Sequence, residues 1–131
     1  MPNLYFNKDQ TLLSDPPRAN TKCKFYSTDD ENTFKSNCKK FKNKQWKWKD
    51  SKIKYSFNTH GYRTKEFGDV DKDFVLGLGC SYTEGVGINN NDIWLNQYCD
   101  KLGIDRINLA KASAGMDIQY YNTLLWKNSK L

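Results

Sequence analysis

The chain has 131 residues, of which 37% are hydrophobic, 27% charged and 15% aromatic, with a formal net charge of +6. A chain of this length makes one domain, its aromatic content argues against simple disorder, and no apolar run approaches the ~20 residues of a membrane span. The positive charge is local: residues 1–65 carry 15 Lys/Arg against 6 Asp/Glu, and residues 66–131 carry 6 against 9.

The N-terminus lacks the basic-then-apolar pattern of a signal peptide, which points to a cytoplasmic protein. Residues 1–20 hold one apolar cluster, Leu4-Tyr5-Phe6, and a linker signal at Ser14-Asp15-Pro16-Pro17, and they read as an arm laid on the surface. The capping residues in Ser27-Thr28-Asp29-Asp30-Glu31 can start a short helix, with Phe25, Tyr26 and Phe34 as anchors. Cys23, Cys38, Cys80 and Cys99 form no C-x-x-C pair, so no metal site is expected and free thiols are. Cys23 and Cys38 would close a loop only in an exported protein.

Residues 39–54, KKFKNKQWKWKDSKIK, carry eight lysines from Lys39 to Lys54, interleaved with Phe41, Trp46, Trp48 and Ile53. Ammonium groups beside aromatic faces suit single-stranded nucleic acid, another polyanion or a glycan. The same letters also alternate with period two, as does Ile53-Lys54-Tyr55-Ser56-Phe57, and a half-buried strand or hairpin with outward lysine stems explains them without a partner. Gly61 marks a tight turn. Arg63 suits either a carboxylate or substrate contact or a structural pair with Glu66 or Asp69, and His60 reads as a turn residue before it reads as a catalytic base.

Phe74-Val75-Leu76-Gly77-Leu78 is a short apolar run closed by Gly79, the pattern of a strand buried on both faces of a parallel sheet. The turn that follows holds Cys80, Ser81, Tyr82, Thr83 and Glu84, at the strand end where open α/β sheets place their chemistry. Asn89-Asn90-Asn91-Asp92 offers caps for a helix over 93–102 with Trp94, Leu95, Tyr98 and Leu102 at helical spacing and Gly103 as its stop. A strand over 104–109, a loop closed by Gly115 and a helix over 116–126 with Ile118, Tyr121, Leu124 and Leu125 inward complete a β-α-β-α unit.

Gly79-Cys80-Ser81-Tyr82-Thr83-Glu84-Gly85 resembles the first block of the SGNH, or GDSL, hydrolases, G-D-S-x-T-x-G, with Cys80 in place of the Asp. Asn108-Leu109-Ala110-Lys111-Ala112-Ser113-Ala114-Gly115 resembles the second block, and the N-x-x-G-[FY]-R form of Asn58 to Arg63 resembles the lead-in of some SGNH-like proteins. The resemblance covers roughly residues 74–127. It implies an α/β fold, an incomplete three-layer parallel-sheet, flavodoxin-like unit over 66–131, preceded by a basic, aromatic-rich extension over 1–65. It implies Ser81 as nucleophile and the backbone N–H of Gly115 in the oxyanion hole, no cofactor, and an ester-bearing small molecule or acylated glycan as substrate. Arg63, Tyr82 and Glu84 are the candidate substrate contacts.

The family's G-x-N-D and D-x-x-H blocks are not in their places. Gly87-Ile88-Asn89 comes too soon after Ser81, and the single histidine, His60, lies upstream with Phe57 at the Asp position. The expectation is therefore the front half of a hydrolase domain, lacking its acid and base, with an open sheet edge that invites the rest of the domain or self-association. Two rivals remain: a nucleic-acid or glycan-binding module using residues 39–54, and a catalytically dead SGNH-like structural remnant. Cys80 as nucleophile is a lesser option, since no basic residue lies near it in sequence.

Overall fold

The computed structural model describes residues 16–41 and 53–128, which form a mixed α/β structure of two short strand pairs and four helices. The arm cluster Leu4-Tyr5-Phe6 and most of the lysine-rich stretch, Trp46 and Trp48 included, lie outside the described residues.

The first pair joins β1 (Lys22–Cys23) to β2 (Tyr55–Ser56) antiparallel, with Lys22 opposite Ser56 and Cys23 opposite Tyr55. Ile53, Tyr55 and Phe57 are buried while Lys54 and Ser56 are exposed, so the period-two alternation read at 53–57 is real. The partner strand comes from about thirty residues upstream. Tyr26 packs on both Tyr55 and Phe57, at ring-centroid distances of 5.6 and 5.1 Å. Between the strands, α1 (Glu31–Lys40) starts at Asp30, whose carboxylate accepts the backbone N–H groups of Asn32 and Thr33.

The second pair is parallel. β3 (Phe74–Gly77) leads into the one-turn helix α2 (Ser81–Glu84), then α3 (Trp94–Leu102), β4 (Asp105–Asn108) and α4 (Met116–Asn128). Phe74 pairs with Asp105 and Gly77 with Asn108, and the ladder runs on through Leu109 N–H to Gly77 C=O and Lys111 N–H to Gly79 C=O. Side chains alternate across the pair. Val75 meets Ile93, Leu95 and Cys99 on the α3 side, while Phe74, Leu76, Leu78, Ile107 and Leu109 meet Tyr62, Phe67, Leu125 and Trp126 on the α4 side. Gly77 is what lets α3 lie so close, because a Cβ there would collide with Leu95 Cδ2.

The helix faces differ from those read in the sequence. In α3 the buried positions are Leu95, Asn96 and Cys99, whereas Trp94, Tyr98 and Leu102 are exposed. The i, i+4 pair Leu95 and Cys99 is narrow enough to sit over Val75 and Gly77, and the bulkier aromatic stripe is turned away from the sheet. The asparagines do not cap this helix by a side chain: Asn90–Asp92 form a 3-10 turn and Ile93 holds the cap position. Gly103 ends α3 in the left-handed conformation, φ +64°, as expected. In α4 the fully buried residue is Asn122, which accepts the Tyr62 hydroxyl at 3.3 Å, while Tyr121 and Leu124 are exposed.

The outer edge of β4 is closed by side chains. The N–H groups of Arg106, Asn108 and Ala110, which point away from β3, donate to Asp105 Oδ1, Thr64 Oγ1 and Asn108 Oδ1 at 2.8, 3.3 and 3.0 Å. Leu76 and Leu78, on the far edge of β3, have no such backbone partner among the described residues. Among the described residues the sheet is thus open on one side, that of β3.

Candidate active site

Ser81 is the first residue of α2 and lies one turn past the carboxyl end of β3. Cys80 precedes it in extended conformation and accepts the N–H groups of Thr83 and Glu84 at 3.1 and 3.0 Å, closing the turn. At the far end Gly85 is left-handed, φ +84°, and a Cβ there would strike Ile93. The Ser81 side chain is half-buried, and its hydroxyl has no hydrogen-bond partner among the described residues. Tyr82 next to it is 85% exposed.

A buried polar network holds this turn in place. Glu84, 1% exposed, forms an ion pair with Arg18 at 2.7 Å through one carboxylate oxygen. Through the other it accepts the Ala112 N–H at 2.5 Å. Asn108, at the end of β4, donates its side-chain amide to the Thr83 carbonyl at 2.7 Å and accepts the Ala110 N–H. Together with the Lys111 N–H bond to Gly79, these contacts bring the turn after β3 against the loop 109–115 after β4. Glu84 ties the residue three after Ser81 to the residue three before Gly115.

Arg63 is 3% exposed and donates to four backbone carbonyls: Gly85 at 2.5 Å, Ile88 at 2.9 Å, Lys54 at 3.3 Å and Glu84 at 3.4 Å. Burial pulls its pKa below the ordinary arginine value, offset in part by Tyr55 and Glu84. Its guanidinium lies over the Tyr55 ring at 4.5 Å. The Tyr55 hydroxyl donates to Asp29 at 2.5 Å and accepts the Gly87 N–H at 2.8 Å; burial above all, then the Asp29 bond, drives its pKa up. Arg63 therefore staples the segment after α2 and bonds neither of the carboxylates expected of it. Glu66 instead accepts the Thr59 N–H and hydroxyl, and the Asp69 carbonyl accepts Lys65.

Of the residues singled out in the sequence, Ser81, Tyr82, Glu84 and the loop leading to Gly115 come together. Gly115 is exposed just ahead of α4, and its carbonyl accepts the Gln119 N–H at 3.3 Å. His60 does not join them: its ring stacks on Phe67 at 4.6 Å and lies 3.1 Å from Thr59 Oγ1. All four cysteines are free, with Cys80 partly exposed at the head of α2. Burial raises the thiol pKa of Cys23 and of Cys99. Among the described residues no three of His, Cys, Asp and Glu gather closely enough to hold a metal ion, and no helix is long and apolar enough to cross a membrane.

Three organising residues were given no site role from the sequence: Arg18, Tyr55 and Asn108, the last of which heads the second block. Arg18 sits 66 residues from Glu84 in a segment that reads as surface arm, and nothing local marks it. Asn108 had a signal, being a polar residue at the carboxyl end of a buried strand, beside the candidate turn. No protein-family model matches this chain, and neither a curated protein nor a solved structure matches it.

Proposed function

We propose that this chain carries the nucleophile half of a serine ester hydrolase of SGNH/GDSL type, an esterase or carbohydrate deacylase built on a flavodoxin-like sheet. The observation that carries the proposal is the placement of Ser81. It opens a one-turn helix after the carboxyl end of a partly buried parallel strand, its hydroxyl is unengaged by any described residue, and Glu84 draws the neighbouring loop to it. In the reaction Ser81 Oγ attacks the substrate carbonyl carbon and its proton passes to a base. The backbone N–H groups of Ser81 and Gly115 stabilise the oxyanion, and the ester C–O bond breaks with loss of the alcohol. Water then releases the acid and restores the serine.

A serine without a base is a weak nucleophile, and none of the described residues bonds to its hydroxyl. Hydrolysis of p-nitrophenyl acetate should therefore be slow, above the background rate, and reduced to that background by Ser81→Ala. Adding a synthetic peptide or downstream segment that supplies a D-x-x-H block should raise the rate. Hydrolysis unchanged by Ser81→Ala would contradict the proposal.

A further inference from the structure

A cleft of about 420 Å³ is lined by Lys54, Ser56, Arg63, Thr64, Lys65, Asn90, Asn96, Asp105 and Arg106. Asp105 and Arg106 open β4, whereas Ser81 follows the carboxyl end of β3, and no residue of 78–85 or 109–117 lines the cleft. Four cations thus face one carboxylate. Lys65 is paired with Asp105, and Arg106 with the exposed Asp100 at 2.5 Å. Lys54 ion-pairs with no described residue, and the buried Arg63 guanidinium is spent on four carbonyls and the Tyr55 ring. Counting both carboxylates, the cleft keeps a net positive charge, with the exposed Lys54 ammonium as its group unpaired by any described residue, which suits the anionic head of a phosphate monoester.

The rest of the lining is hydroxyl and amide. Thr64 Oγ1 already accepts the Asn108 N–H, so its hydroxyl hydrogen is left to donate. Asn96 spends its N–H on the Asn90 carbonyl at 2.7 Å, which leaves its side-chain oxygen to accept. No aromatic ring lines the cleft, so it offers no platform for stacking a base. Its volume falls in the range of small-molecule sites rather than of an extended polymer groove. We propose that this cleft binds a phosphorylated sugar, with Lys54 and Arg106 at the phosphate and Ser56, Thr64 and Asn96 at the hydroxyls. A second concavity continues along the exposed side of β1 and β2, and it shares Lys54 and Ser56 and adds Lys22 and Lys24, so the approach to the cleft is also positive.

Calorimetric titration of the full chain with a hexose 6-phosphate, with the unphosphorylated hexose and with inorganic phosphate tests this. The sugar phosphate should bind saturably and at least tenfold more tightly than either fragment. Lys54→Glu and Ser56→Glu, both at exposed positions, should each weaken it tenfold or more with the thermal midpoint unchanged, and Ser81→Ala should bind as the unsubstituted chain does. Absence of saturable binding, equal affinity for inorganic phosphate, or affinity unmoved by both substitutions would overturn the proposal. So would saturable binding of single-stranded DNA with none of the sugar phosphate.

Discussion

Glu84 is the residue on which the candidate site's geometry depends most, since its two oxygens join Arg18 to the Ala112 N–H. Glu84→Gln removes the negative charge facing a buried guanidinium, and breaking one side of such a pair costs about 3 kcal/mol. Urea denaturation should show that loss. Tyr55 contributes a pH dependence. Its folded-state pKa is raised, so its stabilisation is complete below the unfolded value of about 10 and is lost as pH rises through the folded value. Tyr55→Phe also leaves the Gly87 N–H without its acceptor, a loss of about 1–3 kcal/mol. The stability difference between the unsubstituted chain and Tyr55→Phe should be constant up to about pH 9 and shrink above 10. At Ser113, in the loop ahead of Gly115, the backbone is left-handed with φ +64°. Ser113→Gly should therefore raise stability by about 1 kcal/mol, read in the same denaturation experiment.

At the scale of elements, what was legible in the sequence was what short-range pattern governs. The apolar run at 74–78, the Gly103 stop and the alternation at 53–57 each follow from local stereochemistry, and β2, β3, β4 and α3 lie within a residue or two of where they read, whereas β1 was not read at all. What was not legible depends on contacts distant in sequence. The period of α3 is the same whether Tyr98 or Cys99 faces inward, and only the space left by Gly77 beneath Leu95 decides it. Tyr121 and Leu124 were read as inward in α4, yet the buried place goes to Asn122, because the Tyr62 hydroxyl buried opposite needs an acceptor. In the candidate site, the sequence blocks at Ser81 and before Gly115 were singled out from their letters, and the structure brings that turn and that loop side by side. Arg18, which compensates Glu84, was not, since a guanidinium pairs across any separation in sequence.

For the whole molecule, the open edge of β3 and the outward side chains of α3 and α4 set the behaviour in solution. Tyr82, Trp94, Tyr98, Leu102, Met116 and Tyr120 are all exposed, and the far edge of β3 has no strand among the described residues. Uncovered apolar surface beside an open edge favours association. The chain should bind the dye ANS and self-associate with rising concentration in sedimentation, and Leu102→Lys with Tyr98→Lys should lessen both. Whether the turn after β3 is a nucleophile turn is tested most directly by a fluorophosphonate probe, with the adduct located by peptide mapping. The account predicts slow labelling at Ser81 alone, faster with added imidazole as an external base and abolished by Ser81→Ala. A Ser81 that stays unlabelled even with imidazole, in a chain that remains folded, would contradict it.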